Sequence, residues 1–344
     1  MMNVVYYSSD FFSEMCGVAI ESLCENNQQT NDINVYIIED QISDVNKSRL
    51  RQIIDRFQRN LIFIKMPTQK EVYPDVKINL GRTYTRMILG ELLPKEVDRV
   101  LSLDSDTLVM DSIDEMYNID LEDKCVGGVY DCLGKAMQFK VLHKDEKLKY
   151  SNAGVFLINL KKWREQKIGE KLLDTVINAT ENKKSLYFLE QDFMNLVLEN
   201  NLKLLNPRYN LLTSIYIFSY KDLIRMKKPV SYYNEAEVNE AKQKPALLHA
   251  TTCFYVRKRM WVEGSDHPYT SFYIDYRNRT PWKLLPQIKD SRKFSKRIYA
   301  AAWHTIPRFL AVPIASFTIN YVRPWYAKIS GKLSIQTIAN QSST

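Results

Sequence analysis

The stretch RVLSLDSDTLV, residues 99–109, decides how the rest of the chain is read. Val100, Leu101 and Leu103 make a buried strand, and two acids, Asp104 and Asp106, emerge where it ends. Residues i and i+2 of an extended segment point to one side, so both carboxylates can face a single site. Paired hard oxygen ligands suit Mg²⁺ or Mn²⁺, cations that also take the phosphate oxygens of a substrate. Open α/β sheets bind ligands at the carboxyl ends of their strands, which is where this pair falls. The plain alternative is chance, since an Asp-x-Asp triplet arises about once in a chain of this size.

The flanking sequence supplies such a sheet. NVVYYSS (3–9), NVYIIED (34–40), LIFIKM (61–66), KCVGGVYD (124–131), SNAGVFLINL (151–160) and PALLHA (245–250) read as short buried strands. EMCGVAIESLCEN (14–26) and SDVNKSRLRQIIDRF (43–57) have helical spacing, and Arg82–Leu93 reads as a helix stopped at Pro94. SLYFLEQDFMNLVLEN (185–200) starts as a loop and becomes a buried helix. This alternation predicts an α/β domain over 1–284.

Hydrophobic content of 45% and charged content of 26% are those of a globular protein. The five cysteines have no CxxC spacing, so neither a disulfide framework nor a zinc knuckle is expected, and a reducing cytosol is the natural compartment. MMNVVYYSSD reads as the first strand rather than as a signal peptide. The net charge of +8 sits at one end: ten Lys/Arg against Asp290 give residues 283–344 a charge of +9. From 285 to 344 these cations are interleaved with Phe294, Tyr299, Trp303, Phe309, Phe317, Tyr321, Trp325 and Tyr326. Pro307, Arg308 and Pro313 interrupt the most apolar part, which argues against a spanning helix. A basic, aromatic segment suits an anionic membrane surface; the alternative is a helical pair packed on the body with a solvated face. No nucleic-acid module surrounds it.

Several other side chains can carry chemistry. Of His143, His249, His267 and His304, only His249 closes a buried strand, where it is either a ligand or a satisfied core residue. Glu190, Gln191 and Asp192 open a helix; acids there can be mere dipole partners, or oxygens that stabilise positive charge on a sugar ring. Asn152 and Gly154 allow close backbone approach and two-way hydrogen bonding, or form a tight core turn. Arg86 can reach a diphosphate, or pair on the surface.

Taken together, VVYYSSDFFSEMCGVAIESL, TYTRMILGELL, RVLSLDSDTLV, GGVYD, YSNAGVFLINLKKWRE, LEQDFMN and LLHATT resemble glycosyltransferase family 8 from about residue 3 to 261. The resemblance implies a GT-A fold, a mixed nucleotide-binding sheet with flanking helices. It also implies a UDP-hexose donor (UDP-galactose or UDP-glucose), Mn²⁺ or Mg²⁺, and retention at the anomeric carbon. By position, Asp104, Asp106 and His249 look like the metal ligands, with Asp104 also near the ribose. Asp131, Asn152 and Glu190 look like donor-sugar contacts, Gln191 would face the anomeric carbon, and Tyr7, Ser9, Arg86 and Ser105 look like further donor-side contacts. Gln191 and Glu190 are thus the residues implied for catalysis, although Gln191 is an amide and no covalent nucleophile is indicated.

This chain departs from the family at two places. Where the family often has consecutive acids after its first strand, it has Ser9 and Asp10, then Phe11 and Phe12. The usual His-x-x-Gly…Lys-Pro-Trp stretch is HATTCFYVRKRMW, in which Arg259 replaces the diphosphate-binding lysine and Lys258 is its neighbouring candidate.

The expected function is hexose transfer to a glycan, glycolipid or glycoprotein acceptor in bacterial cell-surface polysaccharide synthesis. The enzyme is expected in the cytoplasm, peripheral on the inner membrane face through residues 285–344. A nucleotidyltransferase would use similar carboxylates, but SSDFFSEMCG supplies no glycine-rich phosphate loop. A non-catalytic sugar- or nucleotide-binding scaffold is the other rival.

Overall fold

The computed structural model describes residues 1–330 apart from 79, 81–83, 141, 146 and 182–189. Among the described residues the strands are β1 (Met2–Ser9), β2 (Ile33–Asp40), β3 (Asn60–Lys65), β4 (Arg99–Leu103), β5 (Thr107–Val109), β6 (Val126–Tyr130), β7 (Ser151–Asn159), β8 (Leu202–Leu204), β9 (Leu211–Leu212) and β10 (Leu247–His249). Seven form the main sheet, in the order β3-β2-β1-β4-β7-β6-β8. β3, β2, β1 and β4 run parallel, whereas β7 is antiparallel to both β4 and β6. Alternation along β1 sends Val4 and Tyr6 into one apolar core and Val5 into a second on the opposite face. Both faces are therefore covered, which is why these strands read as nearly unbroken apolar runs.

The strand expected over 99–109 is two strands in two sheets. β4 belongs to the main sheet, and β5 to a smaller one of order β5-β10-β9. Between them Thr107 N donates to Asp104 O at 3.1 Å, closing a turn. Asp104 N donates to Gly154 O of β7 at 2.8 Å, while Asp106 O accepts from Ala250 N at 2.9 Å, just past β10. Asp104 and Asp106 thus converge across a turn that changes sheets, not by alternation along one strand; Asp and Ser are residues that favour such turns.

The helix expected over Arg82–Leu93 is two short ones, Tyr84–Met87 and Leu89–Leu92, and its first two residues lie outside the described residues. So does the expected loop at 185–189, but the buried helix after it is present as Glu190–Val197. The amphipathic helix Ile168–Glu181 was not anticipated.

Toward the C-terminus the helices Phe294–Thr305, Arg308–Phe317 and Arg323–Ser330 follow, the last two joined by a π-helical segment, Thr318–Val322. Trp303, Ala311, Val312, Ala315 and Ile319 enter the same core as β1, while Phe309, Phe317, Tyr321 and Trp325 are exposed. Among the described residues no helix is long and apolar enough to cross a membrane.

Candidate active site

At the carboxyl end of β4, Asp104, Asp106 and His249 offer ligand atoms that all lie within 4.8 Å of one another. His249 Nε2 stands 3.2 Å from Asp106 Oδ1 and 3.9 Å from Asp104 Oδ2. Gly154 makes room for them. A Cβ there would lie 2.2 Å from His249 Cε1 and 2.7 Å from Asp104 Oδ2, so any side chain would invade the cluster. Two carboxylates and one imidazole around such a cradle form a donor set that fits Mn²⁺ or Mg²⁺.

Two arginines hold the acids from the outside. Arg86 donates to Asp104 Oδ1 at 2.7 Å and pairs with Glu190, and Arg259 Nη1 donates to Asp106 Oδ2 at 2.8 Å. Burial alone would push the Asp106 carboxyl up, but His249 and then Arg259 outweigh it and hold the group below its ordinary value. Burial would likewise lower the His249 imidazole, yet Asp106 and Asp104 raise it. For Glu190 the balance tips the other way: burial raises its carboxyl in spite of Arg86.

Behind the triad runs a relay of hydrogen bonds whose donors all point one way. His249 Nδ1 faces Asn210 Oδ1 at 3.1 Å, and Asn210 Nδ2 donates to Asn152 Oδ1 at 3.0 Å. Asn152 Nδ2 donates to Gln191 Oε1 at 2.9 Å, and Gln191 Nε2 donates to Asp131 Oδ2 at 3.0 Å. Because Asn210 spends its amide donor on Asn152, its oxygen accepts the His249 Nδ1 proton, which turns the Nε2 lone pair toward the carboxylates. Asn210 went unnoticed in the sequence, where an isolated Asn after Pro207 reads as a turn residue. Asn210→Leu is expected to weaken Mn²⁺ binding about 10–100-fold, measured by calorimetric titration. Wild-type affinity in that variant would show that the relay does not orient the ligand.

Most of the residues expected from the sequence meet at this place. A cleft of about 290 Å³ is lined by Tyr7, Arg86, Asp104, Ser105, Asp106, Glu190 and Arg259. Asp131, Asn152, Gln191 and His249 line a second cavity that opens beside it. Ser105 Oγ is committed to Tyr7 O at 2.9 Å, and Tyr7 OH donates to Asp40 at 3.0 Å. Ser9 is not in the lining; Phe12 forms that wall instead, opposite Trp261. Lys258 is also displaced from its expected role. Its Nζ donates to the carbonyls of Glu263 and Gly264, turned away from both cavities, so Arg259 alone of the pair meets the triad. Thr85 was not foreseen either: it lines the first cleft, and its Oγ1 is buried without a hydrogen-bond partner.

Residues 3–252 match the family model described as glycosyl transferase family 8. The chain is 26% identical over 287 residues to General stress protein A of Bacillus subtilis (strain 168), covering 83% of this chain and 96% of that protein. It is 26% identical over 288 residues to the lipopolysaccharide 1,2-glucosyltransferase of Escherichia coli (strain K12), covering 82% and 79% respectively. In structure it resembles the galactosyltransferase LgtC, solved in complex with donor and acceptor sugar analogues: TM-score 0.66 at 21% identity, with 87% of this chain and all of the other covered. The mixed sheet with flanking helices is accordingly of the GT-A type.

Proposed function

Because this chain belongs to glycosyltransferase family 8, we propose that it is a retaining, divalent-metal-dependent transferase that moves galactose or glucose from UDP to a saccharide acceptor. The convergence of Asp104, Asp106 and His249 on the cradle left by Gly154 carries this reading. A bound Mn²⁺ or Mg²⁺ would supply Lewis-acid neutralisation of the charge on the leaving diphosphate. Around it, Arg86 and Arg259 can turn from their carboxylates to the same diphosphate, as bidentate donors suited to phosphate oxygens. Val5, Ile38 and Leu89 give the first cleft an apolar end for a flat base, and Thr85 Oγ1 adds a polar group there.

The transfer breaks the bond from the anomeric carbon to the UDP oxygen and forms one to an acceptor hydroxyl on the same face, the proton passing to the departing phosphate. Gln191 Oε1 already accepts from Asn152 Nδ2 and from Ala153 N at 3.1 Å, so neither lone pair is left for covalent attack. That commitment favours front-side attack, with Gln191 and Glu190 orienting the sugar and stabilising its positive charge.

The similarity to a lipopolysaccharide glucosyltransferase supports a cell-surface glycan acceptor. The exposed Phe309, Phe317, Tyr321 and Trp325, set among Lys and Arg, support a place on an anionic cytoplasmic membrane face.

Thermal shift tests the donor assignment. UDP-galactose or UDP-glucose should raise Tm only with Mn²⁺ or Mg²⁺ present, by an amount equivalent to about 2.7 kcal/mol at a hundredfold excess over Kd. Slow metal-dependent hydrolysis of the same donor without acceptor should accompany it and would separate an enzyme from a binder. A set of UDP-sugars that produces no metal-dependent shift would sink the proposal.

A further inference from the structure

The second cavity, of about 450 Å³, shares Arg86, Asp104, Asp106, Glu190 and Arg259 with the first cleft. The part that it does not share brings in three more cations, Lys227, Arg257 and Arg323, against one acid, Asp131. That acid already accepts from Gln191. The cations come from three separate elements: Lys227 ends the helix Tyr220–Lys227, Arg257 stands in the loop after β10, and Arg323 opens the last helix. Charges from distant parts of the chain repel one another, so their convergence on one wall needs a reason.

For Lys227 and Arg257 pairing does not provide it. Lys227 and Arg257 form no salt bridge and donate no side-chain hydrogen bond among the described residues. Arg257 lays its guanidinium over Tyr299, 4.8 Å from the ring centre, and its Nε is buried without a partner. A guanidinium fixed against a ring, lining a cavity and paired with no acid, is suited to an oxyanion. The diphosphate of the donor does not need this wall, because Arg86, Arg259, Asp104 and Asp106 already line the first cleft. A second negatively charged ligand does.

On the reading that the first cleft takes the nucleotide, with its hexose reaching Gln191 at the junction of the two cavities, we infer that the cationic part of the second cavity takes an acceptor saccharide bearing an oxyanion, a phosphoryl or carboxylate group, held by Lys227, Arg257 and Arg323. The neutral sugar ring lies toward the triad and the oxyanion against the cationic wall.

The test is calorimetric titration of the full chain, with Mn²⁺ and saturating UDP filling the first cleft, against methyl glucoside, glucose 6-phosphate and glucuronate. One of the two charged sugars should bind at least roughly tenfold tighter than the neutral one, and which of them does so tells phosphoryl from carboxylate recognition. The double variant Lys227→Gln/Arg257→Gln should lose that preference while keeping its affinity for UDP. Equal binding of all three sugars, no binding of any with UDP in place, or a preference that survives the double variant would each overturn the inference. Failure of UDP itself to bind would instead strike the donor assignment beneath it.

Discussion

Gly154→Ala is expected to lower hexose transfer by about a hundredfold or more and to abolish the Mn²⁺-dependent rise in Tm. The added methyl carbon would sit 2.2 Å from His249 Cε1 and 2.7 Å from Asp104 Oδ2, far inside contact distance, so one or both ligands must move. Gly154 cannot yield in their place. It lies in β7, which is paired with β4 and β6 on either side, and its carbonyl accepts from Asp104 N. Overpacking of this kind costs about 1–3 kcal/mol, which a domain with two apolar cores should survive, so near-native circular dichroism is expected alongside the lost activity. Full transfer with an unchanged metal titration in Gly154→Ala would refute the placement of the cation.

The largest effect on stability is expected from Arg277→Leu, at about 3–5 kcal/mol by urea denaturation. Arg277 is 4% exposed; its Nε donates to Glu14 Oε1 at 2.8 Å and its Nη2 to Leu285 O at 2.9 Å. Glu14, 8% exposed, also accepts from Tyr273 OH at 2.9 Å. This cluster ties the helix Ser13–Asn26 to the helix Thr270–Arg277, so removing the cation leaves a carboxylate buried against apolar neighbours. Replacing both partners, as Glu14→Leu/Arg277→Leu, should recover most of the loss, because the double change removes the stranded charge as well as its partner. A loss below about 1 kcal/mol in the single variant would mean that the pair acts like an exposed one.

Much of this was legible in the sequence, for identifiable reasons. β1, β2, β4, β6 and β7 announce themselves because each is buried on both faces and so reads as an apolar run, whereas the three-residue β8 was not read from the sequence. Asp104 and His249 stand out because each closes an apolar run, and Asp106 because it stands two residues after Asp104. Less legible was anything that depends on a change of sheet. Asp104-Ser105-Asp106 is flanked by apolar residues on both sides, so 99–109 looks continuous although the chain turns in its middle. β5 and β9 have three and two residues, too few to show a period, whereas β10 was read from the apolar run PALLHA. Asn210 belongs to no pattern, and its role exists only through His249 and Asn152. Lys227, Arg257 and Arg323 are far apart in the chain, and only the fold gathers them. Ser9 was placed by position in a motif that this chain does not keep, and Phe12 now holds that wall.

The turn between β4 and β5 has one more consequence. Asp104 hangs from the main sheet, whereas His249 belongs to the small sheet and Asp106 leads into it. A chain in which only the main sheet has formed therefore offers a cation a single carboxylate, and tight capture waits until the two sheets have seated against each other. A site built this way would be complete only once both sheets are seated, and the binding energy of a cation held there would clamp the seam between the sheets rather than either sheet alone.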